Sequence, residues 1–375
     1  MNDSLSYALV TPRAVAKGRA GGALARLLSR TDLDLVGARM VAADGAFAAK
    51  YAGALRGRAP EGESALLASY VERNLALGGE LQGMLLLFSG ENPCEKLLDA
   101  CGEVCAGLGG RTIRDTFGEI AFPPGGGGEP SHFEPAVIFP RSQKDADADL
   151  LMFAGFLEGK ENLGPDPAGA ERALVILKPD NWERNSTRPG AIIDIFSRTG
   201  LRIAAAKIHR MSLAEALEFY GPVEAALREK LAGKFGRRAR ELLEKEFGFA
   251  MGEGAAGAVE EAFGAECAAN EFSRIVEFMS GRRPGHPRPD EPGDAKSMVL
   301  VYEGEGAVEK IRCALGPTNP ADAPDGTVRR EHGATIMVNA AHASDSAESY
   351  RRERGVLKLD ENSLGATIRE RLGRG

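Results

Sequence analysis

Val175-Ile176-Leu177-Lys178-Pro179 is a short apolar run that stops at a proline, and Ala8-Leu9-Val10-Thr11-Pro12 is its counterpart near the other end of the chain. A run of this kind suits a buried strand that ends in a turn. Each is followed by a loop and an amphipathic stretch, at 21–31 and 190–199, and both stretches end in Ser-Arg-Thr. A second strand-like segment follows at 33–39 and at 201–207. Next comes a helix that ends in Lys50-Tyr51 in one case and Phe219-Tyr220 in the other.

The order persists further along. Leu85-Leu86-Leu87-Phe88-Ser89-Gly90-Glu91 matches Val299-Leu300-Val301-Tyr302-Glu303-Gly304-Glu305. Each leads into a helix carrying Glu-Lys, Gly102 matches Gly316, and Thr112-Ile113-Arg114 matches Thr327-Val328-Arg329. So many landmarks in one order imply a tandem duplication, with domains at 1–160 and 161–375 and a boundary in 155–168. Each unit reads β-α-β-α-β-α-β, which predicts an α+β fold: two ferredoxin-like domains of split β-α-β type, with antiparallel sheets and packed helices. The second is longer between its second and third strands. The excess, at about 221–295, predicts a helical insertion, because Val223 to Phe247 is rich in strong helix formers at helical spacing. The prolines of 281–295 exclude regular structure there.

The 375 residues, 43% hydrophobic and 27% charged, are ordinary for a globular chain with two cores. A net charge of -7 argues against a nucleic-acid partner, which would call for a basic face. A protein of this charge that handles anions must gather its cations in a site. The five cysteines have neither C-x-x-C nor zinc spacing and read as packing residues of a reducing compartment; Cys101 and Cys105 share a helix face if that stretch is helical. No apolar run approaches the ~20 residues needed to span a bilayer, and the first residues have no apolar leader. The expectation is a cytoplasmic protein with no membrane partner.

The chemistry concentrates in Asn339-Ala340-Ala341-His342-Ala343-Ser344-Asp345-Ser346. An imidazole has an unperturbed pKa near 6.5, so at neutral pH it offers a neutral ring nitrogen that can accept a phosphoryl group. Its other nitrogen needs an orienting partner. Glu353, eleven residues on, suits that role, with Ser344 able to bridge. Phosphoryl transfer also needs positive charge around the phosphates. Lys178, Arg312 and Arg329 are the candidates, and their joint occurrence in one order carries the case.

These residues sit in three motifs: Leu177-Lys178-Pro179-Asp180; Gly316-Pro317-Thr318-Asn319-Pro320-Ala321-Asp322 with Gly326-Thr327-Val328-Arg329; and Asn-x-x-His-x-Ser-Asp at 339–345. Together they resemble the nucleoside diphosphate kinase family, over about 165–220 and 272–355. The resemblance implies that His342 is phosphorylated. It implies that Ser344 and Glu353 orient that histidine. Lys178, Tyr220, Arg312, Thr318, Arg329 and Asn339 match positions that contact phosphates and sugar. It further implies a ping-pong exchange of the terminal phosphate between nucleoside tri- and diphosphates, Mg2+ carried on the nucleotide, and a homo-oligomer. The family's paired phenylalanines align with Glu271-Phe272, so Phe272 is the remaining candidate for base contact, with core packing as the other reading.

The first half lacks the machinery. Thr11 stands in place of Lys178, Leu98 in place of Arg312, and the stretch near Pro135-Ala136-Val137-Ile138-Phe139-Pro140 has no Asn-x-x-His; Tyr51 and Arg114 remain. The glycine run at 125–128 has no lysine or serine in phosphate-binding register. This half reads as a catalytically dead copy. An alternative for the whole chain is a weak or inactive nucleotide-binding regulator with a kinase-like fold.

Overall fold

Residues 174–177 are buried on both sides because their strand is the second of four and is covered on both faces. In the computed structural model, which describes residues 3–58, 60–76, 81–104, 109–123, 130–166 and 168–373, the first half runs β1 (Ser4–Val10), α1 (Pro12–Ala16), α2 (Ala20–Arg30), β2 (Asp34–Val41), α3 (Gly45–Arg56), α4 (Glu61–Asn74), β3 (Gly83–Gly90), α5 (Pro93–Cys101), α6 (Ile113–Phe117), β4 (Glu119–Ala121), β5 (His132–Glu134), β6 (Val137–Ile138) and α7 (Gln143–Leu157). The second half runs β7 (Glu171–Leu177), α8 (Arg188–Ser197), β8 (Arg202–His209), α9 (Leu213–Phe247), α10 (Glu253–Ser280), β9 (Ser297–Gly304), α11 (Ala307–Leu315), α12 (Val328–His332), β10 (Ala341–Ala343), α13 (Ala347–Val356) and α14 (Ser363–Arg371). Cys105 and the glycine run at 125–128 lie outside the described residues.

The strand order is β2-β3-β1-β6 in one sheet and β8-β9-β7-β10 in the other, so the two sheets share one topology. Strands β1 and β3, β2 and β3, and β7 and β9 pair antiparallel. This is an α+β architecture with antiparallel sheets. Alternation along each strand divides its side chains between two faces. Ala8 and Val10 of β1 join Ala173, Val175 and Leu177 of β7 in one hydrophobic core, whereas Leu5, Tyr7 and Leu9 join a second core.

The shared core draws on both halves because α2 and α8 pack backbone to backbone. A Cβ on Gly190 would sit 2.2 Å from the Gly21 carbonyl oxygen and 2.4 Å from the Ala25 nitrogen; one on Gly21 would sit 2.5 Å from the Gly190 oxygen. Only glycine permits this approach.

Compactness divides the chain differently from the expected halves. One unit holds residues 1–208, 298–354 and 358–375, with both sheets; the other holds 209–297 and 355–357. The second is an antiparallel helical hairpin. Its first helix opens on a capping box: the Glu215 backbone N–H donates to the Ser212 hydroxyl at 3.0 Å, and the Ser212 N–H donates to the Glu215 carboxylate at 2.9 Å. The expected helix end at Tyr220 is overrun, since α9 continues through Pro222 to Phe247 and stops at Gly248 in the left-handed region, φ 68°.

The C-terminal residues also depart from the expected 161–375 domain. Leu364 and Ile368 of α14 lie in the core of the first half, against α7. The Asn362 amide donates to the Leu157 carbonyl. Sequence spacing has no means of showing which sheet a terminal helix will cover.

Gly190→Ala is expected to lower unfolding free energy by about 1–3 kcal/mol, the cost of forcing apart a well-packed contact. Gly53→Ala, at a helical glycine whose added Cβ meets nothing within 4 Å, is expected to raise it by up to about 1 kcal/mol. Urea denaturation of the two variants checks both.

Candidate active site

The short strand β10 decides where position 342 points. Ala341 pairs with Leu177, His342 with Ile176 and Ala343 with Val175. Ala341 and Ala343 belong to the shared core, so alternation turns His342 to the opposite face. There α13 supplies Glu353, and the imidazole Nε2 lies 3.0 Å from its Oε1. The carboxylate is almost wholly buried, while the imidazole keeps 23% of its side chain exposed. A carboxylate on Nε2 fixes the ring's tautomer and orientation, which directs the lone pair to Nδ1.

The backbone before the histidine is strained. Ala340 has φ 69°, a conformation unusual for a residue with a Cβ. Two donors hold it: the Lys178 N–H reaches the Ala340 carbonyl at 3.0 Å and the Asn181 amide reaches it at 2.7 Å. Asn181 also caps the Lys178 carbonyl at 2.9 Å. Its position three residues after the lysine was the only signal in the sequence for this locking role.

Three of the candidate side chains, Lys178, Asn339 and Arg329, hold the segments around the histidine. The Lys178 ammonium donates to the Asn339 side-chain oxygen at 2.7 Å and to the Met337 carbonyl at 3.2 Å. The Asn339 amide donates to the carbonyls of Thr318 (3.0 Å) and Ile336 (2.9 Å). Arg329 donates to the Gly316 carbonyl at 3.0 Å and to the Ala341 carbonyl at 3.2 Å, beside the histidine. Both ends of Asn339 are thus used to hold the loop at 316–338 against the lysine. Burial pushes the Lys178 ammonium down to about 8, and the nearby Arg329 charge adds to the effect.

Other candidates fall elsewhere. The Ser344 hydroxyl accepts from the Leu174 N–H at 3.1 Å and contacts the Leu174 carbonyl. It extends the pairing of the strands, and the expected bridge is replaced by the direct contact of imidazole and Glu353. Arg312 is exposed on α11 and belongs to a shallow depression with Glu171, Asp345 and Ser346. The Ser349 hydroxyl, and then the Arg312 charge, hold the Asp345 carboxyl below its usual range. Thr318 has an exposed side chain on the loop. Tyr220 and Phe272 belong to the helical unit. Phe272 is 3% exposed and packs within that unit, with the Arg228 guanidinium 5.7 Å from its ring. It is a core residue there and is closed to a base.

Arg188 was missed by sequence reasoning. It donates to the Asp180 carboxylate and, at 2.7 Å, to the His332 carbonyl, tying α12 and its Arg329 to the loop after β7. Burial and the Arg188 charge lower the His332 pKa.

The first half carries the same backbone with other side chains. Arg114 donates to the carbonyls of Gly102 (3.0 Å) and Val137 (3.3 Å), and the Thr11 N–H donates to the carbonyl of Ala136, which has φ 60°. Ile138 pairs with Leu9 where His342 pairs with Ile176. Anions from the chain itself fill the surroundings. Glu63 pairs with Arg114 at 2.8 Å, and buried Glu134 accepts from Thr11 (2.5 Å) and Tyr70 (2.6 Å). His132 is exposed and lies 3.2 Å from Glu119.

The site thus sets an imidazole oriented by a buried carboxylate, with Lys178 and Arg329 in the segments around it, on the antiparallel sheet of an α+β protein. Relatives narrow the class. The family model described as nucleoside diphosphate kinase matches residues 264–361. Nucleoside diphosphate kinases of Bartonella tribocorum and Paracoccus denitrificans are each 32% identical over 183 residues, 49% of this chain and 89% of theirs. The solved nucleoside diphosphate kinase of Aquifex aeolicus is 27% identical, with 50% of this chain and 94% of that one covered and a TM-score of 0.32. The chain belongs to the nucleoside diphosphate kinase family, and the match does not extend to its N-terminal half.

The depressed Lys178 pKa has a stability consequence of definite sign. Between about 8 and the ordinary lysine range the unfolded chain binds more protons than the folded one, so this residue's contribution to stability rises with pH there. The stability of wild type relative to Lys178→Met is therefore expected to be lowest below pH 8 and to rise toward pH 10, by at most about 3 kcal/mol. Urea denaturation of both proteins at pH 7 and pH 10 checks it.

Proposed function

We propose that the C-terminal half is a working nucleoside diphosphate kinase that moves the terminal phosphate from a nucleoside triphosphate to a diphosphate through phosphorylated His342, and that the N-terminal half is a degenerate tandem copy. The observation that carries this reading is the Nε2–Glu353 contact, with the Lys178–Asn339 pair and Arg329 holding the backbone on either side of the histidine's strand. Nδ1 attacks the terminal phosphorus, the bond to the bridging oxygen breaks, and the diphosphate leaves with the electron pair. A second diphosphate then attacks the phosphohistidine and regenerates the neutral ring. Glu353 holds the ring and stabilises the positive charge it acquires. Lys178 and Arg329 supply cationic charge near the transferring group. Arg312 stands further out, where it suits the incoming phosphates.

Among the described residues no three His, Cys, Asp or Glu side chains gather to hold a metal ion. Magnesium suits this site as an ion brought in on the nucleotide, whose phosphate oxygens supply its ligands. The shared strand order and the matched contacts of Arg114 and Arg329 support duplication of an ancestral domain. Glu63 and Glu134 occupy the degenerate site with negative charge, which opposes phosphate entry there. Among the described residues no helix is long and apolar enough to cross a membrane; we place the protein in the cytoplasm as a homo-oligomer on the family resemblance.

With ATP labelled in the terminal phosphate and magnesium, the full chain is expected to form an acid-labile phosphoenzyme that discharges to GDP. His342→Ala is expected to lose all label while still binding nucleotide, and Glu353→Gln to slow transfer about 100-fold by loosening the ring. Label retained in His342→Ala, at His132 or elsewhere, contradicts the assignment; nucleotide binding without labelling in the wild type favours the regulatory reading.

A further inference from the structure

A second cavity is built around a buried guanidinium. Arg39, on β2, is 3% exposed. Its terminal nitrogens donate to the carbonyls of Lys160 (3.0 Å) and Glu161 (2.7 Å) and to the Asn362 side-chain oxygen. All three acceptors are neutral, and among the described residues Arg39 makes no ion pair. Among the described residues its Nε has no hydrogen-bond partner. Burial alone pulls its pKa down, to about 10, with no carboxylate offsetting it. A buried charge without a counter-ion is costly, and proteins ordinarily pair it.

The guanidinium lines a cavity of about 260 Å³ with Lys160, Arg172 and Arg202. Those three are served by carboxylates, but sparingly. Glu303 is shared between Arg172 and Arg202, Asp166 between Arg172 and Arg354, and Asp44 lies 3.5 Å from Lys160. The one carboxylate of the lining, Glu161, is exposed and makes no ion pair with Arg39 among the described residues, so the buried guanidinium is left without a counter-ion. Gln82 lines the same cavity, and among the described residues its buried side-chain oxygen is also without a partner; turned over, the amide presents N–H donors instead. Two orphaned polar groups thus meet in one cationic space.

We propose that this cavity binds a small tetrahedral oxyanion, with inorganic phosphate as the probe, held by Arg39, Lys160, Arg202 and the Gln82 amide. The volume lies below the range of about 300–1,000 Å³ typical of drug-sized ligand pockets, which suits a free oxyanion and excludes a whole nucleotide. The walls come from β2, from the segment after α7 and from β7 and β8. An occupied site ties these segments together and stabilises the fold.

The test is thermal unfolding of the full chain with inorganic phosphate, against sodium chloride at equal ionic strength. Lys178→Met serves as the background, to weaken phosphate binding at the site proposed beside His342. A rise of several degrees in Tm at saturating phosphate is expected, absent from the chloride control. Arg39→Met in the same background is expected to abolish it. Should Arg39→Met fail to fold, Lys160→Ala and Arg202→Gln, both at more exposed positions, are each expected to weaken phosphate binding at least 5-fold by calorimetry. Equal shifts with chloride, or wild-type phosphate affinity in both surface variants, overturn the proposal.

Discussion

A three-residue strand decides where His342 points. Because β10 pairs antiparallel with β7, the side chains of residues 341–343 alternate between a packed core and an open face. Two alanines take the core, where larger groups would be crowded, and the histidine takes the face that carries Glu353. A slip of one residue would bury the imidazole and expose the alanines. The register is held from several sides: by Ser344 on the backbone of Leu174, by Lys178 and Asn181 on the carbonyl of Ala340, and by Arg329 on that of Ala341. The left-handed conformation of Ala340 is the strain that these contacts sustain.

The same strand order with other side chains appears in the first half. Arg114 repeats the carbonyl contacts of Arg329, and Ala136 repeats the backbone turn of Ala340. Ile138 sits where the histidine would be and simply joins the core. Eleven residues beyond it, Asp149 is wholly buried and bound by Arg58 and Tyr7. The backbone contacts of the two arginines are alike, and the side chains around them differ. Glu63 neutralises Arg114, whereas Arg39 has no carboxylate partner among the described residues.

The two halves also depend on each other. The glycine contact between α2 and α8 joins them through backbone, and α14, at the far end of the chain, covers the core of the first half. The half that carries His342 is in this sense packed against the other.

Much of this was legible in the sequence. Repeated apolar runs ending in proline marked the central strands, since a buried strand needs continuous apolar residues whatever its neighbours. The run of strong helix formers from Val223 to Phe247 marked the inserted helix, since helical spacing is local. The motifs around Lys178, Arg329 and His342 marked the site. Other features required three dimensions. Glu353 meets the imidazole without help from Ser344 because strand pairing draws the serine hydroxyl to Leu174. Phe272 is closed off by the helix opposite it, and Arg188 works through a carbonyl 144 positions away. Local hydrogen bonding and hydrophobic period are written residue by residue, whereas the partner of a buried charge or the cover of a terminal helix is set by packing between segments distant in the chain.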